Sequence, residues 1–547
     1  MSNWICDGVP KDGQQYPQAM QGGHPPYENS SPDCLICGLP REAMKKGSFT
    51  PPTTPPTTPS HTVLVGNPKP GNGNILIPAI VIGSLLAAGL GWGLYNFFGP
   101  KPDNKQVVTT APASTPSATS NAPAPNAAVF VGAAAKNPQL YSQGEKILIN
   151  PTPEKEKGAA AFAKEDWQGA VSAYEPVATA AANDPEGKIY YNNAQARLAG
   201  NPLQVAVVVP ITNDPNSAKE VLRGVARYQE EFNASKPQRL LEIVIANDGG
   251  QNQSIEIADD LVNSTNVLGV LGHGIDQTSQ QAMGVYEKAG LAVLSPLTTS
   301  VEGTNLKSIP LKESANELLG SYLTAVGRTL ANYANSQKSP TKAAIFYNSS
   351  SGYSSGLKDS FAQGLDKVKG TVVTEVDTSA GNFDAKAAVE KAKQEGANVV
   401  FLALSKDAGS IEQAVNIAKA SDSLLLLGGN ELYTPNILIQ GRDAIRGLIL
   451  AVPWSFQPND PFAQDALNSW KGRVSWRTAT AYDAAKVLGG VVAKSSDRSG
   501  VTTSLNQGVS IQGSTTGFNV FNDVPLVKAN PGNDGPPGSK YQFDPIE

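Results

Sequence analysis

Residues 204–211 read "QVAVVVPI", which contains the first of four apolar runs of strand length. The other three are "LLEIVIA" at 240–246, "VLGVL" at 267–271 and "AVL" at 292–294. Such uniformly apolar runs are typical of parallel strands that are buried on both faces. The segments between them space their apolar residues as amphipathic helices do, at 217–232, 254–262 and 278–289. This alternation of strand and helix predicts a doubly wound α/β layer.

The same alternation restarts at residue 342 and continues to about residue 451, beginning with "KAAIFYNSSSGYSSGLKDSFAQGL". It predicts a second α/β lobe with its own sheet. A later stretch, "VSWRTATAYDAAKVLGGVVAK" at 474–494, is predicted to be a helix that returns to pack across the first lobe. The fold class is therefore α/β, with two doubly wound parallel sheets in two lobes. We expect a cleft between the lobes, and we expect the crossovers that join them to act as hinges.

Six further stretches carry a family resemblance, because they occur in the family's order and at its spacing. They are "RGVARYQEEFNA", "LGHGIDQTSQQAMGVYEKAGLAVLSP", "GYSSGLKDSFAQGL", "LLLLGGNELYTP", "AIRGLIL" and "TAYDAAKVL". With the opening run, residues 204–526 resemble the periplasmic leucine/isoleucine/valine-binding proteins, the type I receptors of branched-chain amino acid ABC transporters. The resemblance implies a receptor that closes around a small polar solute, an amino acid or a similar molecule, and hands it to an ABC permease.

The resemblance also places ligand-binding groups in the loop that follows the third strand. There the family presents a Ser or Thr hydroxyl and backbone N–H groups to the carboxylate of the ligand. Asp276 stands at that position in this sequence, followed by Thr278 and Ser279. An ionised Asp accepts hydrogen bonds and donates none, so either the ligand differs or Thr278 takes the role. The alternative role for Asp276 is the N-cap of the following helix.

The loop after the fourth strand supplies the next predicted ligand-binding residues. Thr299 falls where the family uses a Thr hydroxyl and amide near the same ligand group, and Ser295 and Thr298 flank it. Ser and Thr after strands are also ordinary helix caps, so a purely structural role stays open.

The second lobe contributes its own predicted ligand-binding residues. Tyr353 matches a family aromatic residue that closes over the ligand, although packing against the lobe surface is the alternative. Glu431, or Asn430 beside it, falls near the acidic residue that pairs with the ligand ammonium in the family. Ser405 lies in a loop where many relatives carry a Tyr.

The residue pattern disfavours an enzyme. The histidines, His24, His61 and His273, are each isolated from a candidate Ser or Cys nucleophile, and no phosphate-loop spacing is present. His273 directly follows a buried run, so we interpret it as a structural histidine. The net charge of −5 gives no basic footprint for nucleic acid.

Residues 75–98, "ILIPAIVIGSLLAAGLGWGLYNFF", contain no charged side chain. At about 1.5 Å per residue, a helix of this length crosses a hydrocarbon core of ~30 Å, so we predict a single membrane span. The alternative is a buried helix of a soluble domain. Positive residues before the span outnumber those after it: Arg41, Lys45, Lys46 and Lys69 against Lys101 and Lys105. This bias predicts a cytoplasmic N-terminus and places the lobes in the periplasm or another extracytoplasmic space.

The cysteines all lie before the predicted span, at Cys6, Cys34 and Cys37. The "CLICG" turn resembles a zinc-ribbon knuckle, in which two thiolates bind one metal ion. A fourth ligand would be His24 or Asp7. The sequence therefore predicts a zinc site in a cytoplasmic module, residues 1–47, against a metal-free knuckle or a redox pair of thiols. The receptor itself is expected to need no cofactor.

Pro-rich and Thr-rich tracts at 48–74 and 99–137 lack the apolar content to fold and are predicted to be tethers. Residues 138–200 then show the small and aromatic spacing of one tetratricopeptide-like helical hairpin. A single hairpin cannot bury both of its faces, so it is expected to dock on the receptor or on another protein. A plain two-helix spacer is the alternative. The receptor domain is predicted to cover residues 201–547.

These features favour a membrane-tethered receptor that serves an ABC transporter. The cytoplasmic knuckle and the permanent tether favour a second use, a sensor or scaffold that signals to a partner protein. A third interpretation is a structural protein with a degenerate cleft. Asp276 and Ser405 motivate it, because neither is the residue type that the resemblance implies at its position.

Overall fold

A computed structural model describes part of the chain in atomic detail. The described residues are 4–7, 9–11, 27–29, 39, 41–44, 130–180, 183–249, 253–273, 277–295, 299–302, 305–308, 315–495, 497–507, 509, 524–536 and 538–546. Residues 47–124 lie wholly outside these ranges. The predicted span at 75–98 therefore lies outside the described residues. Within the described ranges, no helix combines the length and apolar character that a membrane crossing requires.

The elements are numbered here in chain order. The strands are β1 Trp4–Cys6, β2 Tyr27–Asn29, β3 Tyr141–Ser142, β4 Leu203–Val209, β5 Leu241–Asn247, β6 Val267–Gly272, β7 Val293–Leu294, β8 Thr299–Glu302, β9 Asn305–Ser308, β10 Lys342–Tyr347, β11 Thr371–Asp377, β12 Val399–Ala403, β13 Leu425–Gly428, β14 Ile449–Ala451, β15 Leu526–Pro531 and β16 Tyr541–Pro545. The helices are α1 Val131–Ala134, α2 Pro153–Phe162, α3 Trp167–Ala180, α4 Pro185–Ala199, α5 Pro215–Ala234, α6 Gln253–Asn263, α7 Gln277–Ala289, α8 Ala315–Gln337, α9 Gly352–Lys367, α10 Ala385–Gln394, α11 Ala408–Ala420, α12 Pro435–Gly441, α13 Pro461–Trp470, α14 Trp476–Val492 and α15 Arg498–Gln507.

The amino-terminal residues that the structure describes form a small antiparallel pair, β1 with β2. Cys6 at the end of β1 is buried, together with Leu39 and Ala43. The other three predicted zinc ligands, His24, Cys34 and Cys37, lie outside the described residues, so the zinc site stays a prediction.

The first lobe is built on a five-stranded sheet in the order β3-β5-β4-β6-β7. Strands β4 to β7 run parallel, as the apolar runs predict, and every residue of β4 and β6 is buried. The edge strand β3 is antiparallel to β5, so the prediction of a purely parallel sheet is wrong for this lobe. An edge strand can join in either direction because it needs no buried crossover.

The second lobe is built on a seven-stranded sheet in the order β11-β10-β12-β13-β14-β15-β16. Strands β10 to β14 are parallel, which the sequence predicts. Strands β15 and β16 add to the edge in antiparallel fashion, so this sheet is also mixed. Both strands come from the carboxyl end of the chain and connect to each other as a hairpin.

Helix α14 returns to pack across the first lobe, as predicted, and its main contact is with α5. The two helices meet closely at Gly224, where an added Cβ would come within 2.6 Å of the backbone nitrogen of Tyr482. Polar contacts flank this point, since Thr478 Oγ1 donates to the carbonyl oxygen of Glu220 at 2.9 Å. The chain from the second lobe is therefore tied firmly to the first.

The segment before the first lobe contains three helices, α2, α3 and α4, so the prediction of a two-helix hairpin is wrong. The third helix begins because Asp184 accepts a hydrogen bond from the backbone N–H of Gly187 at 3.0 Å, and Pro185 occupies the first helical position. Helix α4 packs against α5 and β5 of the first lobe. The expectation that this segment docks on the receptor is confirmed, and we call α2, α3 and α4 together the helical segment.

One side chain of the helical segment takes the place of a missing strand. The side-chain amide of Asn193 donates to the carbonyl oxygen of Ile243 in β5 at 2.7 Å and accepts from the Ile243 N–H at 2.8 Å. It also donates to the carbonyl oxygen of Gln143 at 2.7 Å. Beyond the two residues of β3, the edge of β5 is therefore satisfied by Asn193.

Candidate functional site

The sequence predicts the first-lobe half of the site at the carboxyl ends of β6 and β7. His273 directly follows β6, and Asp248 directly follows β5 in the same sheet. The imidazole of His273 is buried between the carboxylate of Asp248, at 3.2 Å from Nδ1, and the hydroxyl of Tyr286, at 2.8 Å from Nε2. Both ring nitrogens are occupied, so the interpretation of His273 as a structural histidine is confirmed.

The first-lobe ligand residues predicted from the resemblance are only partly described. Ser279 is buried within α7, and Ser295 is half-buried directly after β7. Thr278 lies in α7, and Thr299 lies in β8 rather than in a loop. The side chains of these two threonines lie outside the described part of the structure, as do the residues Asp276 and Thr298. Ligand contact by the first lobe therefore stays a prediction.

The predicted second-lobe residues do come together. Tyr353 lies in the first turn of α9, which Ser351 caps by accepting from the backbone N–H of Ser354. The hydroxyl of Tyr353 donates to Oδ1 of Asn430 at 3.0 Å and accepts from the N–H of Glu431 at 3.4 Å. Burial, and then the charge of Glu431, raise the pKa of Tyr353, so it remains a neutral donor.

A glycine makes this approach possible. Gly429 follows β13 directly, and an added Cβ there would meet the Tyr353 hydroxyl and come within 2.6 Å of Leu357. The turn after β13 then places Asn430 and Glu431 in a short 3-10 turn, where both are buried. The glycine in "LGGNEL" therefore allows the turn after β13 to pack closely against α9.

Arg477, which the sequence analysis did not single out, completes the charge balance. Its Nη2 lies 3.3 Å from Oε1 of Glu431, and its Nη1 donates to the carbonyl oxygen of Tyr433 at 3.1 Å. The guanidinium lies over the ring of Trp476 at 4.3 Å. The available signal was one basic residue at the start of the "WRTATAYDAA" helix, because that helix returns past the cleft.

Tyr322 on α8 is the second residue that sequence reasoning missed. Its side chain is buried, and its hydroxyl bonds to no described residue. Burial, and then the neighbouring Tyr353 and Glu431, raise the pKa of Tyr322, whereas the charge of Arg477 opposes them. The hydroxyl is therefore neutral. We call Tyr322, Tyr353, Asn430, Glu431 and Arg477 the second-lobe cluster.

The loop that contains Ser405 has a different role from this cluster. Ser405 Oγ bonds to Oδ2 of Asp407 at 3.2 Å. Its neighbour Lys406 reaches across to the first lobe, where its Nζ lies 2.8 Å from Oδ2 of Asp214 and 3.2 Å from Oγ of Ser217. Lys406 therefore forms a direct ionic contact between the two lobes.

The cluster offers hydrogen-bond donors, acceptors and one compensated charge pair, which are groups that a polar solute can bond to. A model of the periplasmic binding protein family matches residues 202–523. No protein among the curated sequences matches the chain.

Solved structures resemble the chain at low sequence identity. An ABC transporter substrate-binding protein from Desulfitobacterium hafniense, in complex with Leu, is 20% identical and covers 63% of this chain and 100% of its own, with a TM-score of 0.48. A branched-chain amino acid substrate-binding protein from Streptococcus pneumoniae, in complex with isoleucine, is 15% identical with the same coverage and a TM-score of 0.49. A leucine-binding protein from Thermotoga maritima is 16% identical, covers 62% of this chain and 97% of its own, and has a TM-score of 0.47.

The assignment rests on the family match, which covers more than half of the chain, and on the two α/β lobes already described. Members of this family are solute-binding proteins without enzymatic activity. This chain belongs to the periplasmic binding protein family and is a solute-binding receptor of the type I fold.

Proposed function

We propose that the chain is a membrane-tethered extracytoplasmic receptor that closes its two lobes around a small polar solute, an amino acid or a similar molecule. It then delivers that solute to an ABC permease. The observation that carries the proposal is the second-lobe cluster. Tyr353 and Asn430 are 77 positions apart in the sequence, yet they meet at the carboxyl ends of two strands, where receptors of this fold place their ligands.

Two structural features support closure of the lobes. Lys406 and Asp214 form an ion pair between the lobes, and both are partly exposed, at 33% and 27% for their side chains. A pair of this kind is weak enough to open and close. Arg477 at the start of α14 provides a second connection, because α14 packs on the first lobe while Arg477 contacts Glu431 in the second.

The membrane tether is supported by the uncharged stretch at 75–98 and by the charge bias around it. Family membership favours an extracytoplasmic position for the lobes. A reconstitution with the chain in vesicles tests both parts. Protease added outside should degrade lobes that face outward, while the amino-terminal module stays protected.

The zinc site is a separate part of the proposal, with Cys6, His24, Cys34 and Cys37 as ligands. The CxxC spacing and the burial of Cys6 support it. Zinc content measured on the reduced full chain should be about one equivalent, and it should fall to background in a Cys34→Ser, Cys37→Ser double variant. Background zinc in the wild-type chain would contradict this part alone.

A thermal-shift screen of the full chain in detergent tests the receptor function. At 100 times its Kd, a bound solute stabilises the folded state by about 2.7 kcal/mol, so a true ligand raises the melting temperature clearly. The panel holds amino acids, hydroxy acids, amides, urea and sugars. Tyr353→Phe should weaken the effect because it removes the hydroxyl that orients Asn430. Tyr333→Phe, a half-buried tyrosine on α8, is the matched control. A panel without any shift would support the degenerate-cleft interpretation instead.

A further inference from the structure

The acidic residue of the second-lobe cluster already has a cation of its own. Oε1 of Glu431 lies 3.3 Å from the guanidinium of Arg477, and the two side chains are only 8% and 7% exposed. Among the described residues, the guanidinium of Arg477 makes one other hydrogen bond, to the carbonyl oxygen of Tyr433. The Glu431–Arg477 pair therefore contributes no net charge to the site.

An ammonium group gains little at such a pair. It must lose its hydration, and the attraction of Glu431 is offset by the repulsion of Arg477 beside it. An unpaired carboxylate at the same position would instead compensate the buried ammonium fully. The position that pairs with the ligand ammonium in the resembling family is thus chemically altered in this chain.

The remaining hydrogen-bond capacity of the cluster is mixed. The guanidinium of Arg477 has five N–H donors. Its polar contacts with described residues are two, one with Glu431 and one with the carbonyl oxygen of Tyr433. Among the described residues, no group bonds to Oε2 of Glu431, and the buried hydroxyl of Tyr322 has no partner either. Donors and acceptors therefore lie side by side, which fits a neutral group that both donates and accepts.

Resting on the proposed receptor function, we infer that the solute presents an uncharged donor–acceptor group, a hydroxyl or a carboxamide, to Glu431 and Arg477. In this chain that group stands where an amino acid would carry its ammonium. The solute class is then 2-hydroxy acids and related amides rather than 2-amino acids.

Matched pairs of solutes test the inference on the full chain by calorimetry. Each pair shares one carbon skeleton and differs only at C2: L-lactate with L-alanine, and L-2-hydroxyisocaproate with L-leucine. The hydroxy acid should bind at least about tenfold more tightly than the amino acid in a pair that binds. Equal or tighter binding of the amino acid would overturn the inference and leave the receptor function standing. Silence of all four solutes and of their amides would overturn the inference, and a melting-temperature shift with another solute of the wider panel would show that the receptor function stands without it.

Charge variants add a readout that a structural role would not move. Arg477→Met frees Glu431, so the preference should reverse toward the amino acid by about tenfold. Glu431→Gln leaves Arg477 unpaired, so it should lower the affinity for the amino acid further, and it serves as the second variant if Arg477→Met does not fold. Arg446→Met, at an exposed arginine in the same lobe, is the control and should keep the wild-type preference. Unchanged preference in both charge variants would overturn the assignment.

Discussion

Two buried charge clusters in this molecule differ in how completely their hydrogen-bonding groups are used. At the junction of the helical segment, Glu186 accepts from the backbone N–H of Leu148 at 2.6 Å and of Ile149 at 3.1 Å. It also accepts from the hydroxyl of Tyr190 at 3.0 Å, and its other oxygen lies 2.6 Å from Nζ of Lys155. Both of its oxygens are therefore engaged by strong donors.

The second-lobe cluster is built from the same kinds of residue but is left incomplete. Glu431 has one guanidinium contact at 3.3 Å and one amide contact, from Asn430, at 3.4 Å. Among the residues that the structure describes, none bonds to the hydroxyl of the neighbouring Tyr322. The Glu186 cluster, whose carboxylate oxygens all have donors, forms a saturated network that joins parts of the fold. The Glu431 cluster is unsaturated, and its remaining hydrogen-bonding groups can bond to a solute.

The strongest way to break the saturated network is to remove its cation. Lys155 is fully buried, and its Nζ also lies 2.9 Å from Asp184 and donates to the carbonyl oxygen of Ile149 at 2.6 Å. Lys155→Met leaves buried carboxylates without compensation, so the free energy of unfolding should fall by about 3 to 5 kcal/mol. Urea denaturation measures this. Lys157→Met, at an exposed position of the same helix, should change it by less than about 0.5 kcal/mol. Equal effects of both substitutions would contradict the role of the network.

A smaller effect is expected at the strand-like amide. Asn193→Leu keeps the size of the side chain but leaves the N–H and carbonyl of Ile243 and the carbonyl of Gln143 unpaired. Unsatisfied buried groups cost about 1 to 3 kcal/mol each, and partial hydration reduces the sum, so we expect a loss of roughly 2 to 3 kcal/mol. Solute affinity should not change. The half-buried Gln195 on the same helix provides the control, Gln195→Leu. A variant that lost affinity with unaltered stability would show that the junction belongs to the binding site.

The smallest effect is expected at the contact between the lobes. Lys406→Gln removes a partly exposed pair with Asp214, so the free energy of unfolding should change by only about 0.2 to 1 kcal/mol. Salt should shrink the difference between wild type and variant further. The exposed Lys419→Gln on α11 is the control. A loss greater than about 2 kcal/mol would contradict this expectation, because it would show that the Lys406–Asp214 pair stabilises the fold as a buried ion pair does.

The same pair predicts a pH dependence with a defined sign. Burial raises the pKa of Asp214, but the charge of Lys406 and the hydrogen bonds from Lys406 and Ser217 outweigh it, so the pKa is lowered below 3.8. A lowered folded pKa contributes stability above the unfolded value, and this contribution is lost as the pH falls through the folded value. The stability difference between wild type and Lys406→Gln should thus be constant near neutral pH and shrink below about pH 4. A difference that grows on acidification would contradict the assignment.

Much of the fold could be predicted because local patterns decide it. The uniformly apolar runs gave the parallel strands of both lobes, and the resemblance brought Tyr353, Asn430 and Glu431 to one place. The two residues of β3 could not be found, since a strand that short leaves no periodicity and exists only because β5 has a free edge. The antiparallel strands β15 and β16 were missed for a related reason, because the direction of an edge strand is set by tertiary contacts.

The misses at the helical segment and at the site have different causes. The third helix had a local signal, Asp184 followed by Pro185, which is a helix start that the hairpin interpretation overlooked. Arg477 had only the signal of a basic residue at the start of a returning helix. Its pairing with Glu431 could not be predicted, because the two are 46 positions apart and meet only when α14 returns from the second lobe. Charge compensation between distant elements is a property of the packed fold.

The decisive experiment makes the same Glu→Gln substitution in both clusters and titrates, by calorimetry, a matched hydroxy acid and amino acid that the wild-type chain binds. Glu186→Gln is expected to lower the free energy of unfolding and to leave the ratio of hydroxy-acid to amino-acid affinity unchanged. Glu431→Gln should change that ratio by about tenfold. A ratio that shifts in Glu186→Gln and stays constant in Glu431→Gln would contradict the account.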